Sequence, residues 1–321
     1  DGRTGATVPR PCFSTTTVGL SSLCLGSTET LSDLYFCCGL APVVDIIESL
    51  GPMYNKWYMD DGGIVAPPEM LEKVWTALST IGPDLGLFLN ASKCEWSWLD
   101  PGRSSPCPIP RVPLVPTDEV CILGVSSRFS GQFVERELLS CAKVLDHLAS
   151  FEDTQVALFL LRLSYGVVRA NHFMRTTPLK DWSFQAAKFD DLVRTAAESI
   201  LCTKFTPPSY VQACLAPQFG GLGLRRVQDH APSAYAASQA EAGVILSKGG
   251  GISLDARPCP PQAVSSHAFD EKTFKGLVGD SNHRDALRLR RLRLPHTSAW
   301  VTAVPSTYDG SGTVMRPAVF R

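Results

Sequence analysis

The sequence has 321 residues, of which 44% are hydrophobic and 19% charged, and its formal net charge is −1. This composition supports a sizeable core and excludes both a wholly disordered chain and a uniformly basic nucleic-acid coat. The charge is unevenly spread: residues 1–150 contain 10 Lys and Arg against 17 Asp and Glu, whereas residues 151–321 contain 20 against 14. A basic second half suits a polyanionic partner.

The longest apolar run, residues 156–163, is interrupted by Arg162 and falls well short of the roughly 18 residues of a membrane span. We therefore expect no membrane partner. The 11 cysteines form no Cys-x-x-Cys pair, and their odd number favours reduced thiols in an intracellular protein of the nucleus or cytoplasm. The chain begins with Asp1 rather than Met, from which we expect a partial chain.

The sequence pattern changes near residue 35, from an aperiodic polar segment to a helical one. Residues 1–34 are rich in Ser, Thr and Gly without a sustained period, which predicts an irregular segment. Residues 35–50 predict a buried helix that ends at Gly51-Pro52. Two short apolar runs then flank the tetrapeptide Asp-Asp-Gly-Gly at 60–63, which predicts two strands joined by a tight Asp/Gly turn.

A second helix is predicted from Pro68, because apolar residues recur there at spacings of three and four until Gly82-Pro83. Short strands are expected at 85–89 and 120–125, separated by a loop rich in proline and glycine at 101–116.

The pattern is helical from Glu135 onwards. Helices are expected near residues 135–149, 153–173, 183–201 and 228–247. Residues 248–265 are typical of a linker, and the last fifty residues are weakly patterned. Arginines at 284–293 alternate with leucines there, for which nucleic-acid binding and a half-buried helix are equal alternatives. The glycine-rich residues 220–224 lack the Gly-Lys-Ser/Thr ending of a phosphate-binding loop. We expect instead that the backbone packs closely against a neighbouring segment there.

Asp60 and Asp61 are the strongest candidates for chemistry. At a hairpin turn both carboxylates can face one hollow, where they would hold Mg²⁺, a cation that prefers oxygen ligands. Two such ions about 3.5–4 Å apart activate an attacking hydroxyl and stabilise the leaving oxygen in phosphoryl transfer. The alternative is an ordinary polar turn, because Asp-Gly is also what a hairpin prefers.

The order of these features resembles the palm of reverse transcriptases, specifically those of non-LTR (LINE-type) retrotransposons. Tyr58-Met59-Asp60-Asp61 lies between two predicted strands, and after a helix comes the string Gly-Leu-Phe-Leu-Asn-Ala-Ser-Lys-Cys-Glu at 86–95. The resemblance spans about residues 35–300, and its weaker segments lie at 161–162, 169–176, 215–217, 220–224 and 295–300.

The resemblance implies an α/β (α+β) palm fragment with a β-hairpin that carries Tyr-Met-Asp-Asp, followed by a mainly α-helical thumb-like domain. The expected domains are an irregular segment at 1–34, a partial palm at 35–126, the thumb-like domain at 127–247, and a linker with a weakly structured basic region at 248–321. The implied activity is RNA-directed DNA synthesis, in which a primer 3′-hydroxyl attacks the α-phosphate of a deoxynucleotide. The expected partners are an RNA template, a DNA primer and deoxynucleotides, with Mg²⁺ as cofactor.

The resemblance also implies roles for individual residues. Asp60 and Asp61 would bind the catalytic metals, Tyr58 and Met59 would contact the primer end, and Lys93 would meet a triphosphate or donate a proton to pyrophosphate. Arg162, Arg169 and Arg175 would grip the phosphate backbone of a template–primer duplex. Arg162 and Arg169 are seven residues apart and are expected on one helical face. The alternatives are strand packing for Tyr58, a surface lysine for Lys93 and a solvated face for the arginines.

Two departures from the family bear on activity. The family's palm needs another aspartate from an upstream strand, and no residue of this chain can be assigned that role, so we expect the isolated chain to be inactive. The family also has a Gly-Asp-Pro-Leu loop where residues 26–34 read Gly-Ser-Thr-Glu-Thr-Leu-Ser-Asp-Leu. Codons compatible with these residues, read two bases further on, encode Gln-His-Gly-Asp-Pro-Leu-Gly-Pro. We therefore hypothesise that residues up to about Leu34 are translated in a shifted frame.

Two other hypotheses remain at this point. The basic second half would hold nucleic acid without catalysis, or the chain would be the product of a decayed retroelement with no selected role.

Overall fold

The computed structural model describes residues 14–22, 32–100, 105–117, 119–126, 131–248 and 258–302. The contacts divide the chain into two units, residues 1–130 and residues 131–321. Unit 1 combines helices with an antiparallel sheet, and unit 2 is helical. At this coarse level the chain is an α+β protein. No helix in the described part of the chain is both long and apolar enough to cross a membrane.

Unit 1 is built on one antiparallel sheet of five strands, in the order β2-β3-β1-β4, with β5 also paired to β1. The strands are β1 (Ser14–Ser22), β2 (Tyr54–Tyr58), β3 (Asp61–Ala66), β4 (Leu87–Leu89) and β5 (Glu95–Trp98). Two helices, α1 (Ser32–Ser49) and α2 (Pro68–Ile81), and a separate hairpin of β6 (Cys121–Ile122) and β7 (Val125–Ser126) complete it.

The core of unit 1 lies between the helices and one face of the sheet. Ile64 and Ala66 of β3 are fully buried against α2, which contributes Leu71, Val74 and Leu78 at helical spacing. The proline at the first helical position of α2 costs no hydrogen bond, because that backbone position has no intrahelical partner for an N–H. The helix predicted from Pro68 to the residue before Gly82-Pro83 is therefore confirmed.

Two stretches of unit 1 differ from the predicted secondary structure. Residues 1–34 were expected to be irregular, yet Ser14–Ser22 forms β1, which pairs with β3, β4 and β5; residues 1–13 and 23–31 lie outside the described residues. The reason is the β-branched run at 15–18, which favours a strand even without alternation. Residues 120–125 form a hairpin rather than one strand, because Leu123 (φ 50°) and Gly124 (φ 76°) adopt a left-handed turn.

Unit 2 packs its helices around buried aromatic side chains that include Trp182, Phe189 and Phe219. The helices are α3 (Gly131–Leu139), α4 (Ala142–Ala149), α5 (Thr154–Leu160), α6 (Val167–Thr176), α7 (Ser183–Ile200), α8 (Pro207–Cys214), α9 (Val227–Lys248), α10 (Gln262–Asp280), α11 (His283–Leu292) and α12 (Ala299–Thr302). Asp153 caps α5 by accepting hydrogen bonds from the backbone N–H groups of Gln155 and Val156.

Unit 2 also departs from the sequence-based expectations. The helix expected at 153–173 is interrupted by a π-helical turn, Leu161–Tyr165, and ends at Gly166, whose ψ of −141° is not helical. Residues 248–321 were expected to be a linker and a weakly structured basic region, but residues 258–302 contain α10, α11 and α12; residues 249–257 and 303–321 lie outside the described residues. Phe274 of α10 and Leu289 of α11 are buried in a cluster with Phe219, so these two helices contribute to the core of unit 2.

Candidate active site in unit 1

The two aspartates lie at the tip of the β2–β3 hairpin. Tyr58 pairs with Asp61, so the connecting turn is Met59-Asp60 rather than the predicted Asp/Gly turn. Met59 has a φ of 53° and takes the left-handed position that glycine usually supplies. Gly62 lies inside β3 instead, where a glycine is needed because a Cβ atom would lie 2.6 Å from the ring of Trp57.

The hairpin has one buried face and one open face. Asn55 and Ile64 face the core, and Asn55 joins the hairpin to α1 because its Nδ2 donates to Glu48 Oε2 at 2.9 Å. Trp57 Nε1 in turn donates to Asn55 Oδ1 at 2.7 Å. This network fixes the orientation of the hairpin, so the alternate residues of β2 and β3 are turned away from the core.

The open face lines a groove of about 430 Å³. Tyr58 and Asp61 lie on one wall, and Lys93, in the turn after β4, lies in the same lining. The far wall is the turn of the β6–β7 hairpin. The remaining lining residues are Tyr54, Lys56, Trp57, Gly62, Gly63 and Glu95.

Asp61 is the electrostatic centre of the groove. Partial burial raises the pKa of its carboxyl, the charge of Asp60 raises this pKa further, and the ammonium group of Lys93 lowers it. Asp60 itself is exposed in the turn. The predicted residues Tyr58, Asp60, Asp61 and Lys93 are thus brought together in unit 1, with Met59 partly buried in the turn between them.

The donor set does not fit a complete two-metal site. Mg²⁺ prefers octahedral coordination by oxygen, and two ions need several carboxylates between them. Asp60 and Asp61 supply two, Glu95 lies elsewhere in the groove lining, and β1, the strand paired with β3, carries no acidic residue. Among the residues that the structure describes, no three His, Cys, Asp or Glu side chains are placed to hold a metal ion. The expected Mg²⁺ site would therefore be incomplete.

The three predicted arginines lie in unit 2, and two of them differ from expectation. Arg162 is half-buried, and its Nη1 donates to the carbonyl oxygen of Val301. Burial lowers the pKa of its guanidinium. Arg175 pairs with Glu241, at 2.6 Å between Nη2 and Oε2, and its Nη1 donates to Gln262 Oε1. Both side chains therefore join elements of unit 2.

Arg169 alone of the three is exposed on α6. The expected shared face with Arg162 fails because the π-helical turn and Gly166 change the angular positions between them. A contact between Arg169 and phosphate stays a prediction.

The sequence interpretation missed Tyr54 and Lys56, which line the groove beside Tyr58. The signal was available, since three residues at a spacing of two share one face of a strand. Comparison of the chain with protein-family models and with curated proteins gave no match.

Proposed function

We propose that the chain is part of a reverse transcriptase of a non-LTR retrotransposon, and that the groove in unit 1 is a nucleotidyl-transfer site with an incomplete set of metal ligands. The parent activity is RNA-directed DNA synthesis, with an RNA template, a DNA primer and deoxynucleotides as partners. Such partners are met in the nucleus or the cytoplasm. Unit 1 would be palm and unit 2 thumb-like.

One observation carries this proposal. Asp61 lies at a hairpin tip, on the open face of a sheet whose other face is covered by helices, and it shares a groove with Lys93, while Asp60 precedes it in the turn. Carboxylates and an ammonium group in one groove suit the phosphates and metal ions of nucleotide chemistry. An ordinary polar turn requires neither the groove nor the lysine.

The 321-residue chain is expected to show no template-directed primer extension, because β1 brings no third carboxylate beside Asp61. The measurement is extension of a labelled DNA primer on an RNA template with Mg²⁺, compared with the Asp60→Ala variant. Product formation by the wild-type chain that disappears in Asp60→Ala would show a complete site and contradict the proposal.

A second candidate function is binding of nucleic acid without catalysis. It is favoured by α11, where Leu289 is buried while Arg284, Arg290 and Arg291 are exposed. Phosphate contacts of this kind weaken steeply with salt and do not depend on base sequence. Affinity that falls with salt, is lost on substitution of these arginines and is indifferent to Asp60→Ala would support this function over the first.

A further inference from the structure

The strand β2 presents a stripe of alternating aromatic and basic side chains. Tyr54, Lys56 and Tyr58 alternate along it and share its open face. The two tyrosines are 43% and 64% exposed. Among the strands that the structure describes, β2 lies at the edge of the sheet, and Tyr54, Lys56 and Tyr58, which form this tyrosine–lysine stripe, are all exposed.

Within the stripe, Lys56 lies between Tyr54 and Tyr58. Alternate residues of a strand are about 6.7 Å apart, so the backbone positions of Tyr54 and Tyr58 are roughly 13 Å apart with Lys56 midway. Opposite Lys56 stands Gly63, which has no side chain, and the ring of Tyr54 lies against it, since a Cβ there would be 3.4 Å from Tyr54 Cε1. An extended ligand with flat groups and a negative charge between them matches this arrangement.

Lys56 is the lysine of the groove that is placed to bind an anionic ligand. Among the described residues, Lys56 forms no ion pair, whereas Lys93 lies close enough to Asp61 for its charge to lower the pKa of that carboxyl. Glu95 accepts a hydrogen bond from the backbone N–H of Cys121. The two aspartates lie at the tip end of the stripe, so an anion is favoured near Lys56 rather than near Tyr58.

These features favour an unpaired nucleic-acid strand. Every base has a π-face, so tyrosine rings stack on bases without regard to sequence, and a lysine meets the phosphate between them. Bases inside a duplex already have both faces covered by their neighbours. A groove of about 430 Å³ is of the size that holds a small ligand, which suits unpaired nucleotides.

We propose that the tyrosine–lysine stripe binds single-stranded nucleic acid by base stacking and one phosphate contact, without a metal ion. The proposal rests on the proposed function for the class of partner, but it requires no chemistry at Asp60 or Asp61.

The test is fluorescence anisotropy of a labelled oligo(dT) titrated with the full chain in EDTA. Tyr54→Ala and Tyr58→Ala are each expected to weaken binding by about tenfold, because each removes a stacking ring. Tyr54→Phe and Tyr58→Phe keep the rings and are expected to bind within about twofold of wild type. Lys56→Ala is expected to reduce the slope of log affinity against log salt by about 0.7.

Matched controls exist in the same unit. Tyr35→Ala removes an exposed ring from α1, and Lys73→Ala removes an exposed lysine from α2. Both are expected to bind as wild type, and thermal melting of every variant checks that the fold is retained. Stripe variants that bind as well as these controls would overturn the proposal.

Binding to the stripe can be distinguished experimentally from metal chemistry at Asp61. In EDTA, Asp61→Asn is expected to bind oligo(dT) as well as wild type or more tightly, because it removes a negative charge from the groove. Binding that requires both Mg²⁺ and Asp61 would overturn stacking on the stripe while leaving the proposed metal chemistry intact.

Discussion

Replacing Gly221 by alanine is expected to destabilise unit 2 by about 3 kcal/mol or more. A Cβ atom at this position would lie 2.1 Å from the carbonyl oxygen of Leu215 and 2.6 Å from that of Gln212. Both neighbours are backbone atoms, so relief requires a shift of the chain rather than of a side chain. The loop is held in place because Gly223 N donates to Leu215 O at 2.8 Å and Leu222 N to Ala213 O at 3.0 Å.

The measurement is urea unfolding of the full chain, followed by far-ultraviolet circular dichroism. Gly276→Ala is the matched control, because this glycine lies inside α10 with no atom within 4 Å of an added Cβ. That variant is expected to be unchanged or more stable by up to about 1 kcal/mol, since alanine favours a helix over glycine. A cost below about 1 kcal/mol for Gly221→Ala would show that the loop is not packed as described.

Asp190 is expected to make unit 2 more stable as the pH falls. Its carboxylate is 5% exposed and accepts hydrogen bonds from the backbone N–H groups of Val227, at 2.7 Å, and Gln228, at 3.1 Å, at the start of α9. Burial nevertheless raises the pKa of Asp190 to about 6 from its ordinary 3.8, against the lowering effect of these bonds, and the charge of Asp229 adds to the rise.

The direction of this pH dependence follows from the proton that Asp190 binds on folding. Between these two pKa values the folded chain holds a proton on Asp190 that the unfolded chain has released, so its stabilising effect is complete below about 3.8 and is lost as the pH rises through about 6. At about 1.4 kcal/mol per pKa unit, the whole difference is on the order of 3 kcal/mol.

Asp190→Asn removes this titration, so it isolates the contribution of one group from those of all others. The free energy of unfolding of wild type minus that of Asp190→Asn is expected to be larger at pH 4 than at pH 7. A difference that is flat, or that becomes smaller on acidification, would contradict a raised pKa for Asp190.

Much of unit 1 is predictable because its signals are local. The face of α2 follows from the spacing of Leu71, Val74 and Leu78, and the β2–β3 hairpin follows from two apolar runs around an Asp/Gly cluster. The exact turn did not follow, because Gly62 is required by its contact with Trp57 rather than by the turn.

Other features depend on contacts that sequence spacing does not encode. The placement of β1 between β3 and β4 is a long-range pairing that a run of threonines does not specify. Arg162 was assigned to an open face on the assumption of a regular helix, and the π-helical turn at Leu161–Tyr165 removed that assumption. The electrostatic link between Lys93 and Asp61 likewise appears only when the sheet is assembled.

The most direct test of the incomplete metal site is to supply the missing ligand. Gly19 of β1 pairs with Asp61, and side chains of directly paired residues lie on the same face, so Gly19→Asp would place a third carboxylate beside Asp61. Mn²⁺ serves as the probe, with bound ions counted by electron paramagnetic resonance. Gly19→Asn, which has the same shape without the charge, is the matched control.

The expected result is weak Mn²⁺ binding by the wild-type chain and by Gly19→Asn, with affinity at least about tenfold higher in Gly19→Asp, since affinity rises with the number of charged ligands. Adding Asp61→Asn to Gly19→Asp is expected to abolish the gain. Tight binding of two ions by the wild-type chain, or equal affinity in Gly19→Asp and Gly19→Asn, would contradict a hairpin site that lacks one carboxylate.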